Sequence, residues 1–134
     1  MVPDKERVLA ALKQTLTVEI EGMESLKDSI NEATFNVVEL IANLEGRLAC
    51  AGVGKSGHVA RKIAATLAST GTQAYFVHPA EASHGDLGMI SRHDAVLALS
   101  KSGETKELSD LIAYCRRFSV PLIGMTMQPD SALG

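Results

Sequence analysis

Apolar residues recur at three- and four-residue intervals over the first third of the chain: Val8, Leu9, Leu12, Leu16, Ile20 and Met23, then Leu26, Ile30, Phe35, Val37, Val38, Leu40, Ile41 and Leu44. That period lays one apolar stripe along a helix. Residues 3 to about 45 therefore read as two helices or one kinked helix, with the break expected at Gly22. Pro3 suits a first turn, and Asp4 and Glu6 suit the positive end of the helix dipole. The stripe is expected to pack, with part of it open for a subunit interface.

After Gly46 the pattern changes to short apolar runs separated by helical stretches. Leu48-Ala-Cys-Ala-Gly52, Gln73-Ala-Tyr-Phe-Val77, Asp94-Ala-Val-Leu-Ala-Leu99 and Pro121-Leu-Ile-Gly-Met-Thr126 have the length and composition of strands. Val59 to Thr70, stopped by Gly71, and Thr105 to Phe118 have helical spacing, and Ala80 to Ile90 reads as a loop or short helix. Strands alternating with helices imply right-handed crossovers and a parallel sheet covered on both faces. The expected fold class is thus α/β, a doubly wound parallel sheet in three α/β/α layers. Residues 1–46 are expected as a helical segment packing on a domain of residues 47–134. Asp130 or Ser131 is placed as a helix cap with no helix after it, so the chain reads as a piece of a longer protein.

Composition narrows this picture. A chain of 134 residues sits near one domain, and one of this mass buries about two-thirds of its unfolded surface. With 46% hydrophobic and 22% charged residues it is not disordered, and 4% aromatic residues without Trp require an aliphatic core. A net charge of -3 gives no general attraction to phosphate polymers or anionic membranes. Nucleic acid and membrane are therefore excluded as expected partners, and any anion site must be local. Cys50 and Cys115 lack close second cysteines, which leaves disulfide frameworks and paired-Cys zinc sites without support. No secretory signal pattern or long apolar run is present. The expected location is the cytoplasm.

Ligands of open α/β sheets bind outside the carboxyl ends of the strands. The first such loop, Gly52-Val-Gly-Lys-Ser-Gly57-His58, fits the spacing G-x-G-x-x-G between a strand and a helix. A dinucleotide site also wants an acidic residue at the tip of the second strand, where Phe76-Val77-His78 stands instead. A phosphate-loop NTPase requires glycine at position 49, which is Ala49. A small phosphorylated ligand survives both objections: it would sit on backbone N–H groups at the helix N-terminus, beside Lys55 and the Ser56 hydroxyl. The competing reading of the glycines is a tight, closely packed turn. The third strand delivers a second loop, Ser100-Lys-Ser-Gly-Glu-Thr105, whose hydroxyls are either phosphate donors or ordinary helix caps. Between them, His78, Glu81, His84 and Asp86 are candidates for acid, base or metal ligand. His78 is expected to hydrogen-bond locally, Asp86 to cap a turn, and His93 to sit in a surface turn. His84 is the better functional candidate, although spacing alone supplies too few partners for zinc.

Gly54-Lys-Ser-Gly-His58, Ala68-Ser-Thr-Gly71, Phe76-Val-His-Pro79, Ser83-His-Gly-Asp-Leu-Gly-Met89 and Ser100-Lys-Ser-Gly-Glu104 together closely resemble the sugar isomerase (SIS) domain of bacterial arabinose 5-phosphate isomerases. The resemblance implies an enzyme that interconverts ribulose 5-phosphate and arabinose 5-phosphate through an enediol, without a redox cofactor. It would feed synthesis of the eight-carbon acid sugar of the Gram-negative envelope. It implies Lys55, Glu107 and His84 as catalytic residues. Gly54, Ser56, Gly57, His58, Ser100, Ser102, Gly103, Glu104 and Thr105 are implied for binding the phosphorylated sugar, in a homodimer or homotetramer. It also implies a later glutamate, a later histidine and, in most members, a pair of CBS domains, none of which lies within these 134 residues. An isolated 1–134 polypeptide is accordingly expected to lack most isomerase activity. A sugar-phosphate sensor without catalysis, or an isomerase for another phosphorylated sugar, are the rival readings.

Overall fold

The computed structural model describes residues 4–134, so the expectation for Pro3 lies outside the described residues. The chain divides into two units, one ending at Val38 and the other running from Glu39 to Gly134.

The first unit holds helix α1, Lys5–Ser29, and the start of helix α2, Glu32–Ala42. Asp4 caps α1 by accepting a hydrogen bond from the Glu6 N–H at 3.1 Å. Gly22 lies inside α1 and does not break it. The chain turns instead at Ile30–Asn31, where the Asn31 side chain accepts from the Ala33 N–H at 2.9 Å. The physical difference is plain: glycine in a helix interior costs about 1 kcal/mol but removes no hydrogen bond, whereas Asn31 offers the backbone a competing acceptor. No residue of α1 is buried within this unit.

The second unit is a four-stranded sheet of β1 (Leu48–Gly52), β2 (Ala74–Val77), β3 (Ala95–Leu99) and β4 (Leu122–Met125), all parallel, in the order β2-β1-β3-β4. Helix α3 (Gly54–Ser69) joins β1 to β2. Helix α4 (Pro79–Ser83) and a 3-10 turn at Asp86–Met89 lead to β3. A 3-10 turn at Lys106–Leu108 and helix α5 (Ser109–Phe118) lead to β4. The expected α/β class with a parallel sheet between helices is what the chain forms. Helix α3 begins ahead of the apolar spacing at Val59, because its first turn is the glycine-rich stretch itself.

Both central strands are wholly buried, and their residues alternate between two cores. Leu48, Cys50, Ala95, Leu97 and Leu99 meet Ala60 and Ala64 of α3, with Leu40, Ile41 and Leu44 packed against them. On the other face Ala49, Ala51, Val96 and Ala98 meet Ala82 of α4 and Leu108, Leu111, Ile112 and Cys115. Burial on both sides is why these strands read as unbroken apolar runs. At the amino edge of the sheet, the buried Asp94 carboxylate accepts from the N–H groups of Arg47 at 2.7 Å and Ser91 at 2.8 Å. Among the described residues, no helix is long and apolar enough to cross a membrane.

Candidate functional site

The chain leaves β1 toward one edge of the sheet and β3 toward the other, so the carboxyl ends of these neighbours flank the point where the winding reverses. Ligands of open α/β sheets bind in that crevice. The register pairs Gly52 with Leu99. The loop starting at Val53 therefore lies beside the loop starting at Ser100, and both open on the same edge.

The glycines of the first loop have separate tasks. A side chain on Gly57 would meet the Gly52 carbonyl oxygen at 2.6 Å, and one on Gly52 would meet the Ser56 backbone at 2.8 Å. These two hold strand and helix in close contact. Gly54, at φ +57°, has open space around it and makes the left-handed turn into α3. No side chain caps α3, and its first backbone bond is Gly57 N–H to the Val53 carbonyl at 3.3 Å. The N–H groups of Gly54, Lys55 and Ser56 therefore have no intrahelical partner, which is the arrangement that receives an anion. Lys55 and His58 are exposed and Ser56 is half-buried.

The second loop is built around a buried hydroxyl. Ser100 Oγ lies 2.7 Å from Thr105 Oγ1 and accepts from the Gly103 N–H at 3.0 Å. Gly103 is itself buried in the left-handed region, φ +68°, with the Ser131 side chain standing where its Cβ would be. Ser102 is exposed and its Oγ accepts from the Glu104 N–H at 3.3 Å, while Thr105 is half-buried at the loop's end. Glu104 is exposed, and its Oε1 accepts from the Ala132 N–H at 2.8 Å. Glu107 is exposed in the following 3-10 turn.

The loop after β2 separates its two histidines. His78 caps α4, its Nδ1 accepting from the Ala80 N–H at 3.2 Å, and its ring meets Phe76 edge-on at 6.3 Å. Local bonding is thus its role here. His84 ends α4 and is exposed, followed by Gly85 at φ +136° and the exposed Asp86 at the head of a 3-10 turn. The side chains of Lys55, His84 and Glu107 make no hydrogen bond or ion pair among the described residues. His93 belongs to the opposite edge, 3.4 Å from Glu45 in an exposed turn. Among the described residues, no three of His, Cys, Asp and Glu gather closely enough to hold a metal.

One contribution escaped the sequence reading: the segment after β4. Thr126 Oγ1 and the Met127 N–H both donate to the Lys101 carbonyl, at 3.3 and 3.2 Å. A hydroxyl follows β4 much as Ser100 follows β3, and that parallel was the available signal.

With two donor-rich loops side by side at a parallel sheet's carboxyl edge, the comparisons with known proteins are decisive. The SIS domain family matches residues 40–134. The chain belongs to the SIS domain family. Arabinose 5-phosphate isomerase KdsD of Yersinia pestis is 51% identical over 91% of the chain, and arabinose 5-phosphate isomerase GutQ of Escherichia coli K12 is 46% identical over 96%. The chain spans 37% and 40% of the length of these two relatives. An Escherichia coli CFT073 protein solved in complex with arabinose 5-phosphate superposes on this SIS chain with a TM-score of 0.91 and 37% identity, over 98% of this chain and 70% of that one.

Proposed function

We propose that this SIS domain carries the sugar-phosphate site of an aldose-ketose isomerase that interconverts D-ribulose 5-phosphate and D-arabinose 5-phosphate. The observation that carries the reading is the meeting of the two loops at the β1/β3 crevice: an uncapped helix end bearing Lys55, and a hydroxyl-rich turn beside it. The likeness to arabinose 5-phosphate isomerases over nearly the whole chain supports the substrate. A phosphate dianion is served by the free N–H groups of α3, Ser56, Ser102 and Thr105, with Ser100 shaping the turn and Gly54, Gly57 and Gly103 allowing close approach. His58, exposed near the start of α3, completes the proposed set.

The sugar end then reaches the exposed groups. Removing the C2 proton of the aldose gives an enediol, and returning a proton to C1 gives the ketose, while the hydroxyl proton on O2 is lost and one is gained on O1. Glu107 and His84 divide the roles of base and acid, and the Lys55 ammonium offsets charge developing on the oxygen. Run in the opposite direction, the same steps give arabinose 5-phosphate, which would supply synthesis of the eight-carbon acid sugar of the Gram-negative envelope. The proposed setting is a cytoplasmic homodimer or homotetramer.

The test is an NMR titration of the chain with arabinose 5-phosphate and with arabinose. Amide shifts centred on residues 54–58 and 100–107 and around His84, and seen only with the phosphorylated sugar, are expected. Equal response to both sugars, or shifts that spare both loops, would reject the site. In a protein that carries this chain at the full length of its relatives, Glu107→Gln is expected to keep this binding while abolishing exchange of the C2 proton with deuterium. Unchanged exchange would remove Glu107 from the chemistry.

A further inference from the structure

The serine-rich loop is closed on its inner side by its own groups, Ser100 with Thr105 and with the Gly103 N–H. Its outer side is held by the segment after β4. Thr126 and Met127 fix the Lys101 carbonyl. Ser131 occupies the space beside Gly103. The Ala132 peptide is gripped from both ends: its N–H donates to Glu104 Oε1 at 2.8 Å, and its carbonyl accepts from the Arg116 guanidinium at 3.2 Å. Leu133, the next residue, is buried in the core beside Gly124.

Glu104 therefore spends its carboxylate on a backbone donor 28 residues away. A carboxylate turned toward a phosphate dianion would repel it, whereas one turned outward costs the anion site little. We propose that Glu104 is a positioning residue: it latches residues 131–132 against Gly103 and so fixes Ser102 and Thr105, which flank the Gly103–Glu104 peptide, in donor geometry. It acts through Ala132 and does not touch the ligand. This rests on the reading of the loop as the phosphate cradle.

The test pairs a ligand-free measurement with a binding one. Glu104 is exposed, so its variants are expected to fold. In Glu104→Ala, hydrogen exchange at the Gly103 amide is expected to quicken at least tenfold without ligand, and arabinose 5-phosphate to bind about tenfold more weakly. Glu104→Gln keeps an acceptor oxygen and should restore both to within twofold. Ala132→Pro, which lacks the N–H, should match Glu104→Ala, and the double variant should be no worse than either. Unchanged Gly103 exchange in Glu104→Ala overturns the latch. So does a Glu104→Gln variant that binds tenfold differently from wild type while Gly103 exchange stays normal, because charge near the ligand would then be what matters. If wild type fails to bind arabinose 5-phosphate while the exchange pattern holds, the latch stands and the phosphate reading falls.

Discussion

Gly52 and Gly57 illustrate how a single missing methyl group fixes a site. Their backbones approach so closely that any Cβ on Gly57 would run into the Gly52 carbonyl, which is backbone and has nowhere to go. Gly57→Ala is expected to destabilise the fold by about 1–3 kcal/mol, the usual cost of overpacking. Gly88→Ala, with open space around it, should change stability by no more than about 0.5 kcal/mol. Urea denaturation of the two variants checks the contrast, and equal midpoints would refute it. At this scale the sequence was informative where residue type carries the chemistry. Lys55 inside a glycine turn, and hydroxyls around Gly103, are what point to the proposed anion site. The Glu104–Ala132 bond was illegible because its donor is a backbone N–H, which every non-proline residue owns, and its partner lies far along the chain.

Elements were legible according to how completely tertiary burial agrees with local pattern. β1 and β3 are continuous apolar runs since both faces are covered. Helix α3 starts at Gly54, ahead of its apolar spacing, since its first turn lies at the carboxyl edge of the sheet and needs no apolar residue. Gly22 misled for a physical reason: glycine weakens a helix without forbidding it, and Asn31 supplies a stronger stop nearby. Gly22→Ala is accordingly expected to stabilise α1 by about 0.5–1 kcal/mol, with its surroundings open on every side. Far-UV circular dichroism during thermal unfolding should show a higher transition. A lowered one would mean that Gly22 faces a close partner. At Asp130–Ser131 the chain makes a turn, with Ser131 Oγ accepting from the Gly134 N–H at 3.3 Å.

Across the whole molecule the two cysteines report on the integrity of both cores. Cys50 lies on the α3 side of the sheet and Cys115 on the α5 side, each buried and free. Burial pushes both thiols up from 9.0 to about 11. An acid whose folded value is raised favours the folded state fully below the unfolded value. That advantage is lost as pH rises from about 9 to about 11, where the unfolded chain gives up its protons first. The melting temperature is expected to fall across that window, and at a pH of about 8 a thiol reagent should react with neither cysteine until denaturant is added. Prompt reaction of one thiol would show that its side of the sheet opens by itself.

The pairing of β1 with β3 has a consequence for how the molecule is made. These strands join Leu48 to Ala95 and Gly52 to Leu99, with α3, β2 and α4 lying between them in the chain. Such a pairing closes a long loop and belongs to the slow, non-local class of folding events. Because the loops of the proposed anion site hang from these two strands, they come together only when β1 and β3 have paired. A chain in which β1 and β3 are unjoined would carry half of the proposed cradle on each strand. A ligand of this site thus binds only the finished product. At about a hundred times its dissociation constant it would deepen the native basin by about 2.7 kcal/mol. Under the proposed function, ligand supply and successful folding are in this way tied together.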